Sequence, residues 1–122
     1  MKSTYTEKAF VVTEIDMETD QPVKEEWFDE QEQLHRPRNL PAVTRHTEDE
    51  TQLEYWYHGQ RNRNDGPADV SIWRETGVVY SELWYSYGEF LGAINRDIHT
   101  GEVVHSDFES PSDNHPHYPT PS

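Results

Sequence analysis

The chain has 122 residues, enough for one domain with one modest core. Its hydrophobic fraction is only 32%, yet it carries four Trp and seven Tyr, so its core has to be aromatic and thin, with too little Val, Ile and Leu for a two-layer sandwich. A formal charge of −14 disfavours direct binding to a phosphate backbone, and the absence of cysteine excludes disulfides, thiol catalysis and cysteine-ligated zinc. The charge is uneven. Residues 1–34 hold ten acids and three Lys, residues 35–63 four acids and five Arg, and residues 64–122 ten acids and two Arg.

In chain order, the opening MKSTYTEKAFVV has no apolar run long enough for a signal peptide, and no later stretch approaches a membrane span; a cytoplasmic protein is expected. Strands are predicted over 5–13, 23–28, 42–46, 52–58, 68–74, 78–87, 90–96 and 102–108. The segment 24–34 also has the composition of a helix, since Glu, Gln and Leu are good helix formers. The alignment of METDQPVKEEWFDEQEQ (17–33) with RETGVVYSELWYSYGEF (74–90) at a constant offset of 57 favours a strand there. It places Asp20 on Gly77, Glu25 on Glu82, Trp27 on Trp84 and Phe28 on Tyr85. A further match sets EYWYHGQ (54–60) on LWYSYGE (83–89).

Each unit reads as two strands around a turn. Gly77 and Gly101 follow Thr76 and Thr100 and supply the positive φ of a tight hairpin turn. Asp65-Gly66-Pro67 is a turn because proline fixes φ and cannot donate a ladder bond. The expected fold is all-β: an antiparallel meander of repeated hairpins forming a single curved sheet over residues 4–108, followed by a disordered Pro/His-rich tail at 109–122.

The run Tyr55-Trp56-Tyr57-His58-Gly59-Gln60-Arg61-Asn62-Arg63-Asn64-Asp65-Gly66-Pro67-Ala68 resembles a tandem repeat of bacterial and phage proteins, with an aromatic pair, a Gly, then His-Arg-x-Asp-Gly-Pro-Ala. The likeness extends loosely to MORN-type hairpin repeats. Asn62 stands in the His position. The earlier copy, His35-Arg36-Pro37-Arg38-Asn39-Leu40-Pro41-Ala42, keeps His-Arg and Pro-Ala, has Leu40 for Gly and carries one extra residue. After Gly88 the third copy, EFLGAINRD, loses the motif, so the resemblance covers about half the chain. It implies an extended β-meander that binds proteins, often encoded by phages or mobile elements, and brings no catalytic residues.

Candidate chemistry is sparse. His115 and His117 with Asp113 form the densest cluster of ligand types, but they lie in the tail, where a site would first have to be ordered. His99 and His105 flank the Thr100-Gly101 turn and are two ligands without a third. No cofactor and no metal is therefore expected. The many carboxylates single out no acid/base pair, and there is no phosphate-cradling glycine loop or nucleophile elbow, so the chain reads as no enzyme. Arg36, Arg38, Arg61 and Arg63 precede the prolines and are expected to bridge to Glu or Asp of a neighbouring strand, with stacking on Trp56 or Tyr85 compatible with that.

Adjacent strand residues point to opposite faces, so some rings of so aromatic a strand set must be exposed, and exposed Trp and Tyr are typical of binding hot spots. The expected partner surface is Trp27, Trp56, Trp73, Trp84, Tyr85 and Tyr87, rimmed by Glu25, Glu26, Asp29 and Glu30. The partner is expected to be a protein, with a nucleic-acid-binding host protein whose basic groove the acids would fill as the sharper form, in the manner of an anti-CRISPR or similar phage inhibitor. The alternatives are an antitoxin or immunity protein and a β-repeat assembly scaffold.

Overall fold

A computed structural model describes residues 6–108. Its ten strands are β1 (Phe10–Asp16), β2 (Gln21–Phe28), β3 (Val43–His46), β4 (Glu50–Glu54), β5 (Trp56–Tyr57), β6 (Gln60–Arg61), β7 (Asp69–Trp73), β8 (Val79–Ser86), β9 (Glu89–Arg96) and β10 (Val103–Phe108). Eight of them form one antiparallel sheet in the order β1-β2-β3-β4-β7-β8-β9-β10, not closed into a barrel and with β1 and β10 as its edges among the described residues, while β5 and β6 make a small separate ribbon. The fold is all-β, as the hairpin signals predict. The expected tail lies outside the described residues.

Three hairpins at one end of the sheet close by the same device. Asp20, Gly77 and Gly101 adopt left-handed conformations (φ 59°, 75° and 77°), and their N–H groups donate to the carbonyls of Asp16, Trp73 and Asp97, four residues back. Glycine suits two of these positions for its freedom at positive φ, and Asp20 is one of the few other residue types that tolerates it. Asp16 Oδ1 and Asp97 Oδ1 each accept two backbone N–H groups of their own turns. Those bonds hold the Asp97 carboxyl below the usual range.

At the other end the sequence units leave the sheet. The strand expected over 52–58 is interrupted at Tyr55, which leaves the ladder, and Trp56–Tyr57 turns through His58–Gly59 to pair with Gln60–Arg61. The helix alternative over 24–34 is not realised. Phe28 ends β2, and Asp29 Oδ1 accepts the N–H groups of Gln31 and Gln33, closing a turn that sends the chain back to the bridge between Phe28 and Leu34. The first strand starts later than expected and runs to Asp16.

The excursions 29–42 and 55–68 are two copies of one structure. Trp27 donates its N–H to Ala42, and Tyr55 donates to Ala68; His35 donates back to Trp27, and Asn62 to Tyr55. In each copy an arginine lies over the first ring and donates to the proline carbonyl. Arg36 is 4.0 Å from the Trp27 centroid with Nη1 on Pro41 O, and Arg63 is 4.0 Å from the Tyr55 centroid with Nη1 on Pro67 O. The Arg and Pro-Ala of the motif are thus one clamp, a stacked cation tied to the chain just before it re-enters the sheet. Ala42 and Ala68 are fully buried, leaving no room for a larger side chain. Gly66 is not left-handed. An added Cβ there would lie 3.1 Å from Arg63 Cζ, so a larger residue would have to displace the stacked guanidinium by a few tenths of an ångström.

The core is small and centred on Trp84, packed with Leu91, Ile94 and Phe108. Trp84 and Phe108 meet at 5.2 Å between centroids across Gly92, where a Cβ would come within 2.3 Å of Phe108 Cδ1. Trp84 is 2% exposed, so its place in the expected partner surface is corrected: it is the centre of the core, and removing its ring would cost about 3–5 kcal/mol.

Candidate functional site

Two features of the described surface stand out: a cleft at the excursion end and the edge of β1, which carries more exposed apolar residues than the opposite edge at β10.

The cleft encloses about 560 Å³ and is lined by Arg36, Arg38 and Arg63, by the exposed rings of Tyr57, His58 and Tyr87, and by Glu7. Its walls are the two excursions and the tip of the β8–β9 hairpin, which are stitched together by one repeated bond. His58 N–H donates to His35 Nδ1 (3.0 Å), and Tyr87 N–H donates to Asn62 Oδ1 (2.9 Å). His58 and Tyr87 are left-handed (φ 43° and 45°) and each precedes a left-handed glycine, Gly59 or Gly88. Gly59 N–H in turn donates to Leu34 O, and Gly88 N–H to Arg61 O. Each two-residue turn therefore docks on the preceding unit, and the motif's His position holds an acceptor for it.

That acceptor role fixes the chemistry of His35. With Nδ1 accepting, the ring proton sits on Nε2, which lies 2.7 Å from Glu7 Oε1 without the alignment of a hydrogen bond. His58 stacks on His35 (3.7 Å between centroids, 11° between planes), and its Nδ1 donates to Asp29 Oδ2 at 2.7 Å. Ligand atoms of Glu7, His35 and His58 lie within 4.8 Å of one another, close enough to hold a metal ion. A metal on His35 Nε2 would move the ring proton to Nδ1, against the His58 N–H, so the set does not fit a metal while the turn is docked. Burial raises the Asp29 carboxyl, but the bonds from His58, Gln33 and Gln31 outweigh it and hold Asp29 below its usual range.

The expected partner residues divide sharply. Trp27 Nε1 donates to Glu25 at 2.6 Å beneath Arg36, and Trp56 Nε1 donates to Glu54 at 2.9 Å with Arg61 5.2 Å from its ring. Tyr85 meets Phe90 edge-on and its hydroxyl accepts from Arg61. Trp73 meets Tyr80 edge-on, Glu25 lies 3.6 Å from Arg36, and Glu26 pairs with Lys24. Asp29 is buried and caps a turn, so it is corrected from rim to scaffold. Tyr87 and Glu30 alone of that set are exposed. Asp65 turns the chain and accepts from Asn39, which also accepts from Arg63, tying the two excursions. Arg36 and Arg61 bridge to strand carboxylates as expected, Glu25 of β2 and Asp69 of β7, whereas Arg63 reaches Asp65 of its own excursion and Arg38 makes no ion pair or hydrogen bond with another described residue. His105 pairs with Asn95 in the ladder, and His99 belongs to the turn. His115, His117 and Asp113 lie outside the described residues.

The polar face of the middle strands is taken up by one network. Arg61 lies between Glu54 (3.8 Å) and Asp69 (3.1 Å), and Arg45 reaches Glu54 at 2.7 Å. Burial and the nearby Glu54 charge push Asp69 up to about 6 despite Arg61 and Arg45, and its Oδ1 is buried without a hydrogen bond.

The apolar edge of β1 was not anticipated from the sequence. All of β1 before Asp16 is exposed, including Phe10 (54%), Val11, Val12 (51%) and Ile15. Phe10 and Val12 line a shallow groove of about 410 Å³ with Phe28 of β2, rimmed by Glu30 and Glu32. The apolar run Phe10-Val11-Val12 is its sequence signal, passed over because such runs ordinarily belong to a buried strand.

The chain matches no family model, no curated protein and no solved structure. Among the described residues no helix is long and apolar enough to cross a membrane.

Proposed function

We propose that this chain is a non-catalytic protein-binding protein that takes an extended segment of its partner as an added strand along β1. The observation that carries the reading is that, among the described residues, no strand pairs with the outer edge of β1, where Phe10, Val11, Val12 and Ile15 are exposed. A sheet edge of that kind templates pairing unless it is short, charged or covered, and the main chain supplies affinity while alternate side chains enter pockets. The groove of Phe10, Val12 and Phe28 is the pocket that would select apolar residues. Glu14, Glu18, Glu30 and Glu32, all exposed and spread along the β1–β2 hairpin, favour a segment whose remaining residues are basic. An acidic protein that seizes a basic segment is suited to inhibit a nucleic-acid-binding host protein, the role also suggested by the phage-like repeat. Carboxylate mimicry over the whole surface is less favoured, because Glu25, Glu54, Asp69 and Glu82 are already held by Trp or Arg partners.

Selection of random ten-residue peptides on the immobilised chain tests this. Peptides alternating apolar with Lys or Arg should be enriched, should bind about tenfold more weakly to Val12→Lys, and should weaken as salt is raised. Enrichment of no such pattern, or full binding by the variant, would overturn the reading.

A further inference from the structure

We propose that the cleft between the two excursions is a second, separate site, which binds a compact ligand carrying one oxyanion group, a phosphate monoester or a carboxylate, with a flat body against Tyr57 and Tyr87. The chain has seven arginines among 24 acids, and three of the seven, Arg36, Arg38 and Arg63, line this one cleft, whose acidic lining is Glu7 alone. Glu25 and Asp65, which lie 3.6 Å from Arg36 and 3.7 Å from Arg63, are not part of the lining, so the lining itself is richer in guanidinium than in carboxylate on a strongly negative molecule. A polyanion would be repelled by the remaining surface, whereas a ligand with one or two charges would be drawn in.

The three arginines are not equivalent. Arg36 and Arg63 are immobilised by their ring stacking and proline carbonyls, so their charges are fixed in place. Arg38 is exposed, has no ionic or hydrogen-bond partner among the described residues, and sits at φ 67°, followed by Asn39 at φ 56°. Two consecutive non-glycine residues in the left-handed region are a strained arrangement, and Asn39 is held there by its bonds to Arg63 and Asp65. Arg38 therefore adds to the lining a guanidinium that has no partner among the described residues, beside those of Arg36 and Arg63, and a forked oxyanion contact is its natural complement. Tyr57 and Tyr87 are 42% and 58% exposed and stand edge to face at 6.2 Å, leaving their outer surfaces open to an aromatic or apolar body.

Amide and guanidinium NMR shifts of the full chain, at fixed ionic strength in chloride, would be followed during titration with inorganic phosphate, adenosine monophosphate and benzoate. Saturable shifts at Arg38, His58 and Tyr87 are expected, with adenosine monophosphate or benzoate binding more tightly than phosphate. The first two probes separate a free oxyanion from one carried on a ring, and benzoate separates carboxylate from phosphate. Arg38→Gly relieves the backbone strain and Arg38→Asn tolerates it, so both should fold, and each should bind about tenfold more weakly, the loss of one charge-assisted contact. Absence of saturable shifts with all three probes, or unchanged affinity in both folded variants, would overturn the proposal.

Discussion

His35 accepts the backbone N–H of His58 through Nδ1 at 3.0 Å, and 27 residues on Asn62 accepts that of Tyr87 in the same way. The two side chains share one duty, to receive the N–H of a left-handed turn residue from the next unit. A substitution that keeps the acceptor should therefore be tolerated better than one that removes it. His35→Ala should cost about 1–3 kcal/mol, the penalty of an orphaned buried N–H, and His35→Asn distinctly less. Denaturant unfolding of the three proteins checks the order; equal losses would show that packing of the ring, not acceptance, matters.

Gly92 allows Trp84 and Phe108 to meet. Gly92→Ala would drive a methyl into Phe108 Cδ1 and to within 2.8 Å of Asp107 O, so a loss of about 1–3 kcal/mol is expected. Adding Phe108→Leu should recover part of it, with the backbone contact to Asp107 remaining. Melting temperatures of the single and double variants measure that coupling.

Asp69 makes stability depend on pH in an unusual sense for a carboxylate. Its folded value of about 6 exceeds the ordinary 3.8, so between them the folded state binds more protons than the unfolded. Its contribution is fully present below 3.8 and is lost as pH rises through 6. Asp29 and Asp97, held below the ordinary range, act oppositely: their contribution is present above it and lost at lower pH. Asp69→Asn should remove the stability decline between pH 4 and pH 7 that belongs to Asp69 and leave the acid loss in place. Parallel curves for the two proteins would contradict the assignment.

Arg63 binds Pro67 O and Asn39 while lying over Tyr55, so a lysine, which has one compact charge and no fork, should not replace it. Arg63→Lys is expected to destabilise by about 1–2 kcal/mol and to loosen the excursion, seen as faster amide exchange at Asn62 and Ala68.

The sheet was legible because its signals are local: Thr-Gly turns, alternation and the offset of 57 that sets Asp20 on Gly77. The pairing of Arg36 with Trp27 and of Arg63 with Tyr55 also left a trace, as Arg and Pro-Ala at matched places. What the sequence hid is which rings are free. Trp84 and Trp27 look alike in the alignment, but Trp84 packs on Phe108 of β10, two strands away and 24 residues on, across Gly92, while Trp27 lies under Arg36 of the excursion that follows it. The exposure of Phe10 and Val12 was hidden for the same reason, since whether a strand lies at an edge depends on what the rest of the described chain places beside it.

Amide hydrogen exchange on the complex with an enriched ten-residue peptide tests the edge-strand reading most directly. The account predicts new protection along Phe10–Asp16, strongest around Val12, with β10 at the far edge unchanged. Saturating binding that leaves the β1 amides exchanging as they do in the free protein would contradict it.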